Sequence, residues 1–210
     1  MKKLFLLFLV SVCLFEVSAQ NKTLAKALKK EYKAKMKEYK NEGWKITASS
    51  RSLDVALLLH YEKLSDENTR ELVGTVSNCR SINVCRQAAL NNAAAYYASL
   101  AGSHLKGRVV SDLGVNQSDN DATTEFDKLY AAYERCVEKE IKGEIQESYT
   151  ISRTSDTGEK ELQTYFTVNE DEATKARIRA WENAQRESEA AQKYATEVSK
   201  FINEGFSPDK

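Results

Sequence analysis

Proline is almost missing from this chain: Pro208 is the only one among 210 residues. With no low-complexity tract and no repeat of 20 to 50 residues either, nothing marks a linker between domains. Histidine is scarce as well. His60 and His104 lie far in sequence from the cysteines, whose spacing is neither Cys-x-x-Cys nor a zinc pattern, so neither metal nor redox chemistry is expected. Charge of one sign is not in excess, with 31 Lys and Arg against 31 Asp and Glu, which leaves no global basic field to favour nucleic acid. No nucleophile elbow, zinc-protease helix, phosphate loop or dinucleotide fingerprint occurs, and no cofactor is expected. An enzyme would have to work with a pair of carboxylates, as a glycosidase does.

What is present begins with the leader. Met-Lys-Lys precedes an apolar run from Leu4 to Phe15, and Val17 and Ala19 fit a cleavage site after Ala19, so residues 1–19 read as a signal peptide. The run is short for a bilayer span, where roughly 20 residues are wanted. Val12 before Cys13 departs from a lipobox, which points to soluble export into the periplasm or envelope. An oxidising compartment would let Cys79 and Cys85 pair. Closing so short a loop stabilises by only about 2.4 kcal/mol. Cys136 falls inside a helical pattern and reads as a small buried hydrophobe.

Residues 20–42 read as a lysine-rich amphipathic helix stopped at Gly43. Leu24, Leu28, Tyr32, Met36 and Tyr39 form one stripe, and Lys26, Lys30, Lys33 and Lys37 stand among the lysines around it. Such a helix either docks its stripe on the protein's own sheet or lies on anionic lipid or glycan as a peripheral contact. The stripe is also expected to meet the C-terminal helix.

Residues 43–210 read as a single α+β domain. Strands are expected at Trp44–Ser50, Glu71–Ser77, Gly107–Leu113, Glu144–Arg153 and Glu161–Val168, giving one antiparallel or mixed sheet of about five strands, with helices largely on one face. Between them, Leu53–Leu64 places His60 on or beside an apolar helix face, where it reads as a packing residue. The centre is an alanine-rich helix from Ile82 to Ala101, with Val84, Leu90, Tyr97 and Leu100 completing its buried surface and Gly102 as its stop. Asn91 and Asn92 are expected to face solvent or bond to backbone. Asp119, Asp121 and Glu125 lack the offsets of a calcium loop and read as a polar loop capping the next helix, Thr123–Lys142. Asp156, Thr157 and Gly158 mark a hairpin turn. A long closing helix begins at Asn169 as N-cap, with Glu172 at N3.

The alanine run Ala88 to Ala98, the strand Lys106 to Asp112, Tyr130 and Tyr133 on the next helix, the strand from Ile145 and Tyr165-Phe166-Thr167-Val168 together resemble the bacterial lipoprotein-20-like envelope proteins. The resemblance covers about residues 81–181. It implies a fold related to the N-terminal domains of certain flagellar assembly lipoproteins and a non-catalytic role in envelope assembly or surface association. The expected function is therefore that of an exported, non-enzymatic binding or assembly protein, its partner an envelope protein or surface glycan. Attachment through the basic helix and carboxylate-dependent hydrolysis are the alternatives.

Overall fold

A computed structural model of the chain describes residues 26–113, 120–155 and 157–203. The leader with its cleavage site, Leu24, Asp119, Asp156 and Pro208 lie outside the described residues. Helix α1 (residues 26–41) ends at Gly43, whose φ of +74° suits glycine. Then follow β1 (Lys45–Thr47), α2 (Leu53–Leu64), β2 (Thr69–Val76), α3 (Ile82–Leu113), α4 (Asn120–Ile141), β3 (Gln146–Thr154), β4 (Lys160–Asn169), α5 (Glu170–Glu187), α6 (Glu189–Lys193) and α7 (Ala195–Asn203). The fold is α+β, and the described strands form one antiparallel four-stranded sheet in the order β1-β3-β4-β2.

Both faces of the sheet are covered. On the inner face Leu72, Leu162, Phe166 and Val168 join the main core under α3, α4, α5 and α7. On the outer face Tyr149, Ile151 and Tyr165 meet Tyr39, Trp44, Ala56 and Leu57 in a second, smaller core, with Tyr32 and Met36 of α1 against it. The α1 stripe thus docks on the sheet, as one of the two expectations had it. Among the described residues, the stripe's Tyr32, Met36 and Tyr39 lie in the outer core and the C-terminal helices in the inner one, on the other side of the sheet.

The sheet has four strands, not five. Gly107–Leu113 is not a strand but the last two turns of α3. Ala94, Ala98, Ala101, Leu105 and Val109 are all buried at spacings of three or four, a helical stripe that outweighs the propensity cost of about 1 kcal/mol at each of Gly102 and Gly107. Gly102 is not a stop: a Cβ there would run into the carboxylate end of Glu134 on α4, so the glycine is a notch where α3 and α4 cross. Val84, expected inside, is 68% exposed, because Cys85, Ala89 and Ala93 set the buried phase one position later.

The long closing helix is broken in two places. Asn169 caps α5 as expected, its side chain accepting from Asp171 N and Glu172 N. Ser188 is extended (φ −138°, ψ 121°) and caps α6, accepting from Ala191 N. Tyr194 ends α6 in turn. A straight helix would run past the small sheet with its stripe in water. The breaks fold α7 back, so that Val198, Phe201 and Ile202 are buried and Trp181 Nε1 donates to Ser199 Oγ at 2.9 Å.

β2 and α3 approach each other backbone to backbone. A Cβ on Gly74 would collide with the backbone carbonyl of Ala89, and Asn92 Nδ2, bonding to backbone as expected, donates to Thr75 O at 2.9 Å. Gly74→Ala should therefore cost about 3 kcal/mol by urea unfolding, since neither backbone can retreat. Gly102→Ala meets only a movable side chain and gains helix propensity, so its change should stay within about 1 kcal/mol. Ala94, fully buried on the same helix, should lose about 1–3 kcal/mol on replacement by leucine.

Candidate functional site

The outer face owes its chemistry to one irregularity. In the pairing of β3 with β4, Glu147 faces Phe166 and Tyr149 faces Tyr165, so Ser148 is an extra residue that shifts the register. A bulge of this kind reverses which face each later side chain takes. Ile145 before it accordingly joins the inner core, whereas Tyr149 and Ile151 after it join the outer one, although all three are odd-numbered. Tyr149 then stacks on Tyr165 with ring centres 4.5 Å apart and planes 5° from parallel.

Three other elements close on this pair. From α1, the Tyr39 hydroxyl lies 2.9 Å from that of Tyr149, and its ring meets Tyr165 edge-on at 6.4 Å. From α2, whose N-cap Ser52 accepts from Val55 N, Ala56, Leu57 and His60 form the buried face. His60 is only 1% exposed and is enclosed edge-on by Tyr61, Tyr149 and Tyr165. From β2, Glu71 Oε2 sits 2.5 Å from His60 Nε2. Nε2–H donating to this carboxylate sets the tautomer. His60 Nδ1 is buried without a hydrogen-bond partner among the described residues.

Above these rings opens a cleft of about 410 Å³, walled by Glu31, Lys35, Glu38 and Glu71 together with His60, Tyr61, Tyr149 and Tyr165. Burial holds the Tyr39, Tyr149 and Tyr165 hydroxyls above the ordinary phenol range. Tyr61 is pushed up to about 12, first by burial and then by Glu31 and Glu71. Lys35 is held above its usual value: burial opposes this, but the Glu38 hydrogen bond and the electrostatic pull of Tyr165, Glu38 and Glu71 beside it prevail. The phenols therefore remain neutral donors near pH 7, and the site offers rings, carboxylates and one buried acceptor. A second hollow of about 650 Å³ lies where α4 passes the α5–α6 junction. Its walls include the Arg135–Glu187 pair at 2.6 Å, so opposite charges meet there on the wall itself.

Of the residues singled out by sequence, His60 reaches the cleft; the cysteines, the lysines and Asp121 do not gather there. Cys79 and Cys85 form a disulfide with Cα atoms 5.9 Å apart, pinning the corner between β2 and α3 in the inner core. Cys136 is a free, buried thiol, and burial raises its pKa. Lys26, Lys30, Lys33 and Lys37 are all exposed, on the outside of α1. Asp121 belongs to the first turn of α4. Among the described residues no group of three or more His, Cys, Asp or Glu is placed to hold a metal, and no helix is long and apolar enough to cross a membrane. His60 is buried on the apolar face of α2, and it has a partner, Glu71, that helix periodicity could not reveal. Tyr149 and Tyr165 were missed as a pair because the bulge that aligns them leaves no mark on the alternation.

The buried phenols make folding sensitive to alkali. Unfolded tyrosine ionises near pH 10, whereas Tyr39, Tyr61, Tyr149 and Tyr165 ionise only above that when folded. Below pH 10 both states keep these protons; above it the unfolded chain loses them first, and stability falls as pH rises toward the folded values. The urea midpoint should thus drop between pH 9.5 and pH 11, with tyrosinate absorbance appearing together with unfolding, and Tyr39→Phe should lessen the drop. No family model matches this chain, nor does any curated protein or solved structure.

Proposed function

We propose that this is an exported, non-enzymatic protein of the cell envelope that works by binding, with the outer-face cleft as its recognition site. The observation that carries this reading is the convergence of α1, α2, β2, β3 and β4 on one cleft whose rings and polar groups are fixed by the sheet. Export rests on the leader, residues 1–19 with cleavage after Ala19, and agrees with the Cys79–Cys85 bond, of a kind that persists in oxidising compartments. The lipoprotein-20-like resemblance over residues 81–181 points to the same compartment and to assembly or surface association; of the features that carry it, the alanine run and the later elements stand, whereas its strand Lys106 to Asp112 is part of α3. Binding is favoured over carboxylate-dependent hydrolysis because two of the three carboxylates in the cleft are already engaged, Glu71 by His60 and Glu38 by Lys35 at 2.8 Å.

A second reading, attachment to anionic lipid or glycan, is favoured by α1 itself. Lys26, Lys29, Lys30, Lys33, Lys37 and Lys40 are exposed on it, and among the described residues none of them has a hydrogen bond or ion pair. Fractionation of expressing cells separates the two readings. The mature chain should begin at Gln20 and leave with the periplasmic contents; retention of an uncleaved chain in the cytoplasm would overturn export. Sedimentation with anionic vesicles that is abolished by 0.5 M salt and by replacing Lys26, Lys30, Lys33 and Lys37 with glutamine would instead establish attachment through α1.

A further inference from the structure

The cleft that serves as recognition site in the reading above has a definite chemical bias. Glu31, Glu38 and Glu71 stand around it against a single cation, Lys35, and Lys35 is drawn onto the wall. Its Nζ lies 2.8 Å from Glu38 Oε1 and 5.3 Å from the centre of the Tyr39 ring. An alkylammonium between a carboxylate and a phenol face is thus already present as part of the chain, and carboxylate attraction with cation–π contact is what holds such a group. The surrounding charge acts at a distance as well, since Glu31, Glu71 and Glu38 all raise the Tyr61 phenol.

His60 supplies an independent sign. With Nε2–H donating to Glu71, Nδ1 is the ring's acceptor nitrogen; it is buried without a hydrogen-bond partner among the described residues, in a side chain that lines the cleft. A buried acceptor without a donor is costly unless something satisfies it. An ammonium carries three N–H donors, whereas an anion brings none and would face the three carboxylates. A volume of about 410 Å³ is in the range of small-ligand sites.

We propose that this cleft binds an alkylammonium ligand, seated among Glu31, Glu38, Glu71 and the tyrosine rings with His60 Nδ1 as acceptor for one of its protons. The proposal rests on the cleft being the recognition site. The ammonium could be carried by a free polyamine or by a lysine side chain, and the test distinguishes these sources.

The test is calorimetric titration of the mature protein with spermidine and, separately, with Nα-acetyl-lysine amide. Saturable binding that weakens as salt rises is expected from at least one of them. Spermidine alone would indicate a free polyamine; the lysine derivative alone would indicate a lysine of a partner chain. Glu71→Gln should weaken binding about tenfold, the loss of roughly one charge-assisted bond. Should that variant fold poorly, Glu38→Gln, at a side chain 45% exposed, serves in its place. Lys35→Ala should tighten binding severalfold, because it removes a tethered competitor. A purely structural cluster would not give this gain. No binding of either amine, binding unaffected by both glutamine variants, or weaker binding in Lys35→Ala would overturn the proposal. Cytoplasmic retention of a chain that still binds spermidine would defeat only the envelope reading. Export without amine binding would defeat only the ligand class.

Discussion

The contact on which the rest of this structure depends is the meeting of two backbones at Gly74 and Ala89. Glycine on β2 leaves no room for a side chain beneath the Ala89 carbonyl, so α3 lies directly on the strand. Dispersion grows steeply as surfaces close, and a backbone in place of a side chain gives the shortest separation available. Cys79 and Cys85 tie the corner at the end of the same strand, and Asn92 adds a bond to Thr75 O. Once β2 is seated in this way its alternation is fixed. Leu72 and Gly74 face inward, and Glu71 must face outward toward His60.

The inner core carries its own constraint in Arg177, a guanidinium only 2% exposed. It donates to the Tyr97 hydroxyl, to Thr174 Oγ1 at 2.6 Å and to Glu170 Oε2 at 3.3 Å, and Glu170 in turn accepts from Arg70 at 2.5 Å. A buried cation is tolerable only with such partners. Its partners come from α3 and α5, and Glu170 extends the network to Arg70 of β2, so losing one would leave charge stranded where three elements meet. The network thus fixes where α5 starts relative to α3.

The outer face is built on different terms. Its aromatic cluster is small, its hydroxyls pair with one another, and charge gathers above it. The bulge at Ser148 connects the two faces. Before it β3 presents Glu147 to Arg86 of α3 at 2.7 Å; after it the strand presents Tyr149 to Tyr165 and His60. One inserted residue lets a single strand serve both the packing side and the cleft.

Much of this was legible in the order of residues. Apolar periods gave α2, α4, the β3–β4 hairpin and the docking stripe of α1, and Asn169 gave the start of α5, because caps and amphipathic faces are local properties. The alanines of α3 announced close packing, but its length was misread: Gly102, Gly107 and the valines of Val109-Val110 imitate a helix stop followed by a strand. Only contact with α4 shows Gly102 as a notch. The break at Ser188 was equally hidden, since the apolar period runs through it and only the limited size of the sheet calls for a return. As for the cleft and the core beneath it, His60 and Tyr39 are placed on their helix faces by sequence, while Glu71, Tyr149 and Tyr165 are joined to them by strand pairing and by a bulge. What the sequence by itself determined is which residues seek burial and where helices begin. Which buried residues meet was decided by tertiary structure, because register, bulge and crossing depend on pairs of segments and not on either one alone.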